Sequence, residues 1–417
     1  MTATSGGAGL SRRLGMSDAV VLGLGSMLGA GVFAAFGPAA AVAGSGLLLA
    51  LVVAAVVAYA NAMSSAQLAV RYPESGGAYV YGRRRLGDAW GFLAGWGFVV
   101  GKTASCAAMA LTLGAYAWPE YARPVAAVAV VGFTAVNYLG VSKTARLTRV
   151  LVAVTLGALA VVVIGALTRP DAGVDRLLGA GLPAGVPGVL QAAGLLFFAF
   201  AGYARIATLG EEVRDPSRTI PRAIPIALGV VVLVYGIVGA AALAAIGPAA
   251  LARSPVPLAT AAGPGWDVAV RVGGAVAAGG VLLSLLAGIG RTALAMARDH
   301  ELPHLLAAIH PRHRVPHRAQ LLFGGLVLAL VLAFDLRAAI GFSSFAVLVY
   351  YAIANASACT LRGPHRRWLR PLAVFGVVSC LTLVATLPPA SSLTGGAVLL
   401  LGLVIRAART RRRRRAG

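Results

Sequence analysis

Four glycines within nine residues, Gly23, Gly25, Gly29 and Gly31, stand inside an apolar stretch running from about Met16 to Phe36. Each costs about 1 kcal/mol against alanine in a helix interior, so a continuous helix is poorly specified here, although the stretch is long enough to span a bilayer. A membrane helix that breaks midway must satisfy its freed backbone groups with protein, water or a ligand. The half after such a break, from Gly29, Ala30 and Gly31 onward, offers N–H groups and a positive dipole end to a carboxylate. The half before it, ending near Met27, offers carbonyls to an ammonium or other cation. Spacing alone leaves a second reading open, in which the glycines are only a packing surface of small residues.

A second candidate break lies in Phe197-Phe198-Ala199-Phe200-Ala201-Gly202-Tyr203-Ala204-Arg205, continuing to Glu211-Glu212. Glycine is sparser there, but the segment lies five apolar spans after the first, the offset expected of two inverted structural repeats. Lys102 sits near the middle of a third apolar span, about 12 residues or ~18 Å of helix from either end. Three roles fit it. It takes up and releases a proton, with Thr103, Ser105, Thr155 or Ser284 as polar neighbours, because a buried lysine is costly when charged; it hydrogen-bonds the carbonyls at the breaks; or it meets an acidic substrate side chain. Arg205 is expected to snorkel or to pair with Glu212, seven residues on and on the same helix face, in a gate or structural role. Tyr350 and Tyr351 read as a lipid-facing belt, whereas Asn355 at membrane depth faces protein or water. The histidines His300, His304, His310, His313 and His317 are irregularly spaced and interleaved with arginines, so no metal site is expected. No catalytic triad, phosphate-binding loop or intramembrane carboxylate pair appears, which argues against an enzyme, a cofactor and an ATP-driven pump.

The elements that must hold these groups are transmembrane helices. The 417 residues are 59% hydrophobic and 12% charged, with mean hydropathy +0.84, a composition outside the range of soluble domains. Cutting at charged and Pro/Gly-rich breaks predicts twelve spans near 16–37, 43–66, 89–114, 122–140, 146–167, 186–209, 223–246, 266–296, 319–334, 338–361, 371–387 and 393–406. No cleavable signal is expected ahead of the first. Most of the 36 lysines and arginines then fall on one side; the other holds only Arg123, Arg169, Arg176, Arg253, Arg271 and Arg337. The positive-inside rule places both termini in the cytoplasm. The net charge of +23 is therefore a statement of topology and not of nucleic-acid binding. The arginine-rich tail, 407–417, is expected to anchor on anionic lipid. Cys106, Cys359 and Cys380 all lie in apolar segments and imply neither disulfides nor zinc.

Five motifs give these observations a common source. They are Gly25-Ser26-Met27-Leu28-Gly29-Ala30-Gly31-Val32-Phe33; Tyr72-Pro73-Glu74-Ser75-Gly76-Gly77-Ala78-Tyr79; Phe197 through Ile224; Arg291-Thr292-Ala293-Leu294-Ala295-Met296-Ala297-Arg298-Asp299-His300-Glu301-Leu302-Pro303; and Ser343-Ser344-Phe345-Ala346 to Asn355. In this order the chain resembles the amino acid–polyamine–organocation superfamily of permeases, over about Leu14 to Leu361. The resemblance implies an all-α fold of twelve helices with a five-plus-five inverted repeat, like the leucine transporter, and discontinuous helices one and six. The transporter core is then 16–361, with repeats at about 16–167 and 186–361, preceded by a cytoplasmic segment 1–15 and followed by two further helices in 371–406. By the family pattern the substrate carboxylate meets N–H groups of Gly29, Ala30 and Gly31. Its ammonium meets carbonyls near Met27 and from Phe198 to Ala201, and Phe198, Ala201, Gly202 and Ala204 are pocket positions.

Two departures shape the expectation. Many members carry an acidic residue where this chain has Ala204, which points here to a neutral substrate, and some carry a coupling lysine where this chain has Thr155. The expectation is a secondary active amino-acid permease of a bacterial cytoplasmic membrane, working by alternating access and importing a neutral amino acid with protons. Exchange of amino acids is the alternative, and an amino-acid sensor with a transporter body is a further one.

Overall fold

Apolar runs punctuated by Pro, Gly and charged loops dictate a helical bundle, because a chain in hydrocarbon has to satisfy its own backbone. The structure, a computed structural model, describes residues 14–72, 76–140, 145–178, 185–207, 213–362 and 369–416. The first apolar stretch forms two helices, α1 (Met16–Met27) and α2 (Ala30–Ala43), followed by α3 (Leu47–Arg71). A short α4 (Ala78–Arg85) leads into α5 (Asp88–Ala117), α6 (Ala122–Tyr138) and α7 (Ala145–Leu167). After α8 (Val174–Leu178), the sixth apolar stretch is again divided, into α9 (Gly185–Phe200), a 3-10 turn (Ala201–Tyr203) and α10 (Ala204–Ala207). Then come α11 (Pro216–Arg253), α12 (Pro257–Ala262), α13 (Asp267–Arg298), α14 (His317–Ala333), α15 (Leu336–Cys359), α16 (Leu369–Thr386) and α17 (Pro389–Ala416).

Eight helical stretches among the described residues are long and apolar enough to cross a membrane, and three shorter apolar helices accompany them, Met16–Met27, His317–Ala333 and Arg370–Thr386. At 38 residues α11 would run about 57 Å at 1.5 Å per residue, well beyond one hydrocarbon thickness. It does not run straight: Gly247, at φ 70° and ψ 168°, leaves the helix just before Pro248. Only glycine takes that conformation without strain. α17 continues as helix into the basic tail, through Ala416.

Burial separates the interior helix from the peripheral one. Within the apolar window of α5, 78% of residues are buried, against 22% in α17, whose Leu393, Leu400, Leu401 and Val404 lie on the outer surface. Small residues let α5 pack closely: the Gly101 backbone lies against Ala346 of α15, and the Ser105 and Ser343 hydroxyls share a hydrogen bond of 2.7 Å.

Charges gather at the helix ends. Beside α4, the Tyr79 hydroxyl and the Arg83 guanidinium donate to Asp299 at 2.6 and 3.1 Å. Burial, reinforced by that carboxylate, raises the Tyr79 pKa well above the usual phenol range. Arg406 of α17 forms a two-pronged pair with Glu301 at 2.8 and 3.1 Å, and an ion pair joins Arg149 of α7 to Asp18 of α1. The Arg214 N–H donates to Leu14 O at 2.9 Å, tying the entry of α1 to the segment after the sixth stretch. The Glu301 and Arg406 side chains are only 11% and 21% exposed, so Glu301→Gln is expected to cost about 1–3 kcal/mol, read as a lower thermal midpoint of purified protein. Asp88, 64% exposed in its pair with Arg83, is expected to tolerate Asp88→Asn without a measurable shift.

Candidate functional site

The two divided helices break side by side. In the first, Leu28 N–H still donates to Leu24 O at 2.7 Å; Gly29 then turns to ψ −144° and α2 starts afresh at Ala30. In the second, α9 ends at Phe200 and the chain tightens through the 3-10 turn before α10. A Cβ on Gly202 would collide with Ser26 O and lie 2.7 Å from Met27 N, and a Cβ on Gly31 would lie 2.7 Å from the Ala199 Cα. Packing surface and helix break are thus properties of the same glycine-rich segment, and the two readings of the sequence hold together.

The carbonyls freed at the breaks already have donors from the protein. The Tyr235 hydroxyl, on α11, is placed to donate to Met27 O at 2.5 Å and Ala199 O at 3.2 Å, one from each break. Its ring is fully buried between Phe36 and Phe200, at centroid distances of 6.3 and 5.3 Å. The Tyr351 hydroxyl of α15 donates to Ala201 O at 3.2 Å. This corrects the belt reading of the tyrosine pair, since Tyr350 and Tyr351 are 6% and 1% exposed. Tyr351 packs on Tyr203 and Phe197 at 5.0 and 5.7 Å, and Tyr350 accepts the Ala78 N–H at 2.9 Å. Asn355 faces protein: its amide donates to Asn61 Oδ1 at 2.6 Å and to Tyr351 O at 2.9 Å, while Cys380 donates to the same Asn61 oxygen at 3.3 Å. Sequence reasoning missed Tyr235, a lone tyrosine in an apolar span with no neighbouring signal.

The residues expected at the pocket fall around these breaks. Met27, Gly29, Gly31 and Ala201 are buried, and Phe198, Gly202 and Ala204 are partly buried; Ala30 supplies the first residue of α2. A small void of about 10 Å³ touches the first break, lined by Gly25, Leu28, Gly29, Thr155 and Val281 among others. That is room for about one water.

The coupling candidates lie on three helices, α5, α7 and α13. Lys102 is partly buried on α5, its ammonium 6.0 Å from the Phe98 ring centroid. Thr103 and Ser105 donate back to carbonyls of their own helix at 2.7 and 3.1 Å. Thr155 lines the small void and donates to Leu151 O at 2.8 Å. Ser284 is exposed and donates to Gly280 O at 3.0 Å. Arg205 is exposed at the second break, and its expected partner Glu212 lies outside the described residues. Among the described residues no group of three His, Cys, Asp or Glu is placed to hold a metal ion; the rings of His310, His313 and His317 gather instead around Tyr138 at 5.4 to 6.3 Å.

Known proteins bear on this arrangement. The family model described as amino acid permease matches residues 14–405. An uncharacterized transporter of Mycobacterium tuberculosis is 61% identical over 398 residues, covering 94% of this chain and 90% of that one. The branched-chain amino acid permease of Bacillus subtilis is 29% identical over 359 residues, 78% of this chain and 75% of its own. Cationic amino acid transporter 4 of Homo sapiens is 30% identical over 382 residues, 85% of this chain and 60% of its own.

Tyr235→Phe removes the donor shared by both breaks. It is expected to destabilise the protein by about 1–3 kcal/mol, the cost of leaving buried acceptors unpaired, as a lowered thermal midpoint in detergent. Tyr121→Phe, at a tyrosine 57% exposed, is the matched control and should leave the midpoint unchanged.

Proposed function

The chain belongs to the amino acid permease family, and from that premise we propose that it is a secondary active importer of neutral amino acids, coupled to protons and working by alternating access. The observation that carries the reading is the pair of adjacent helix breaks, with N–H groups of Gly29, Ala30 and Gly31 on one side and carbonyls near Met27 and Phe198 to Ala201 on the other. That combination suits both charges of an α-amino acid and is indifferent to its side chain. Tyr235 and Tyr351 hold three of the carbonyls, so the ammonium of a substrate competes with, or replaces, a phenol at these positions. The proposed frame is twelve crossings, with inverted repeats at about 16–167 and 186–361, both termini in the cytoplasm and the arginine tail on anionic lipid.

Substrate class rests on Ala204. A methyl group at that position of the second break leaves a cationic side chain without a counter-ion, which favours neutral substrates. Branched-chain amino acids, named for the Bacillus subtilis relative, are the first to try. Proton coupling rests on Lys102. Among the described residues the carboxylates lie between helices or within a few residues of helix ends, and none forms an ion pair with Lys102; a lysine so placed at the middle of α5 is suited to exchange its proton. Asp18 with Arg149, and Leu14 with Arg214, join helix ends beside the entry of α1; in the proposed orientation these contacts are the ones that inward opening would break.

Purified protein in liposomes tests the reading. Labelled leucine, isoleucine and valine are expected to accumulate when the outside is acid relative to the lumen, and Lys102→Met is expected to abolish that stimulation, by about tenfold or more in initial rate. Uptake that requires preloaded amino acid and ignores the pH gradient would replace symport by exchange. Saturable binding without flux would replace transport altogether.

A further inference from the structure

Three histidines, His310, His313 and His317, meet where the chain passes from α13 to α14. His310 to Val315 form a closed turn: the His310 N–H donates to Val315 O and the Arg314 N–H to His310 O, both at 2.9 Å. Within it, the ring nitrogen Nδ1 of His310 accepts two backbone N–H groups, from Arg312 and His313, each at 3.2 Å. A nitrogen that accepts carries no proton, so His310 is neutral in this turn, with its hydrogen on Nε2. Arg314 stands at φ 56°, a left-handed conformation that is costly for a residue with a Cβ, so the turn depends on these hydrogen bonds to stay closed.

The turn ties three helices together. Tyr138, the last residue of α6, has the rings of His310, His313 and His317 around it at 5.4, 6.0 and 6.3 Å. Just beyond, a Cβ on Gly140 would lie 2.9 Å from His313 O. One turn back, Asn137 Nδ2 donates to Leu283 O of α13 at 3.1 Å, and α13 sets its Val281 side chain against Gly29 of the first break. The cationic groups around His310 oppose a charge on its ring. His313 lies 4.7 Å from it and His317, on α14, 5.4 Å; Arg312 and Arg314 belong to the turn, Arg318 follows on α14, and α6 supplies the Tyr138 phenol. Among the described residues no carboxylate pairs with any of them; Asp299 and Glu301, the acids ahead of the turn, are taken by Arg83 and Arg406.

We propose that His310 is a pH-sensitive clip: its neutral ring closes the turn that fixes α13 and α14 to α6, and acid on that side of the membrane opens the turn and slows transport. The effect on transport rests on the permease reading, whereas the turn is tested without it. Partial burial, then the charges of His313, His317 and Arg312, hold the His310 pKa below the usual imidazole value of about 6.5. Protonation at Nδ1 sets one N–H against two others. The closed turn is therefore favoured above about pH 6.5 and loses ground to the open one as the pH falls below it, by at most about tenfold per pH unit for one proton.

Hydrogen–deuterium exchange of the purified full-length protein, with each rate divided by the intrinsic rate at that pH, reads the turn directly. The amides of Arg312 and His313 should be protected at about pH 7.5 and lose that protection between about pH 6.5 and pH 5. His310→Asn keeps an acceptor but gains no proton, so protection should persist into acid; His310→Ala has no acceptor and should be unprotected throughout. His313→Gln removes a charge that disfavours protonation of His310 and should move the transition to higher pH. His304→Asn, at a ring stacked on His300, is the control and should leave it in place. Counterflow of labelled leucine in liposomes, at equal pH on both sides so that no gradient drives it, should fall about fivefold from about pH 7.5 to pH 5.5, and should hold its rate in His310→Asn. Exchange without an acid transition, or a transition that survives in His310→Asn, overturns the clip. A transition in exchange with counterflow unslowed overturns its link to transport and leaves the permease reading standing. Counterflow absent at every pH overturns the permease reading, and the exchange rates still decide the clip.

Discussion

A backbone carbonyl stripped of its helical partner inside a membrane protein has no bulk water to turn to, and the centre of this bundle is organised around that shortage. Two helices give up their regular hydrogen bonding at the same depth, and a single phenol from α11 reaches an acceptor in each. A second phenol from α15 serves a third acceptor. The tyrosine rings are in turn locked by aromatic neighbours, so the polar repair is carried by an apolar scaffold. The result holds both breaks in fixed geometry instead of leaving them as loose chain.

Charge is placed with corresponding care. Ion pairs hold helix ends together around α4, between α1 and α7, and between α17 and the segment after α13. The hydrophobic middle is left to neutral hydrogen-bond chains such as Cys380, Asn61, Asn355 and the Tyr351 carbonyl. Such an arrangement avoids the desolvation cost of burying ions and makes Lys102 conspicuous as a cation placed where the design elsewhere uses amides and hydroxyls.

Much of this was legible in the residues. The density of glycine at Gly23 to Gly31 marks a helix that cannot be regular, and the structure divides it between Met27 and Ala30. The second break carries a weaker signal because the chain tightens there instead of stopping, and a 3-10 turn needs no special residue type. What local pattern could not reveal is who repairs the breaks. Tyr235 and Tyr351 act across 36 to 208 residues of sequence, and a tyrosine in an apolar span looks the same whether it faces lipid, as the sequence suggests for Tyr350 and Tyr351, or a carbonyl on another helix. The facing of Ser284 was hidden for the same reason: a one-residue error in helical phase moves a side chain by 100°.

The closeness of Gly202 to the Ser26 and Met27 backbone fixes where variation is affordable. With no space for even a methyl group, that crossing is closed to side-chain change. Phe198 and Ala204, in the same stretch, are only partly buried and are under less steric constraint. A protein built this way can exchange side chains beside the break while the backbone crossing itself stays constant.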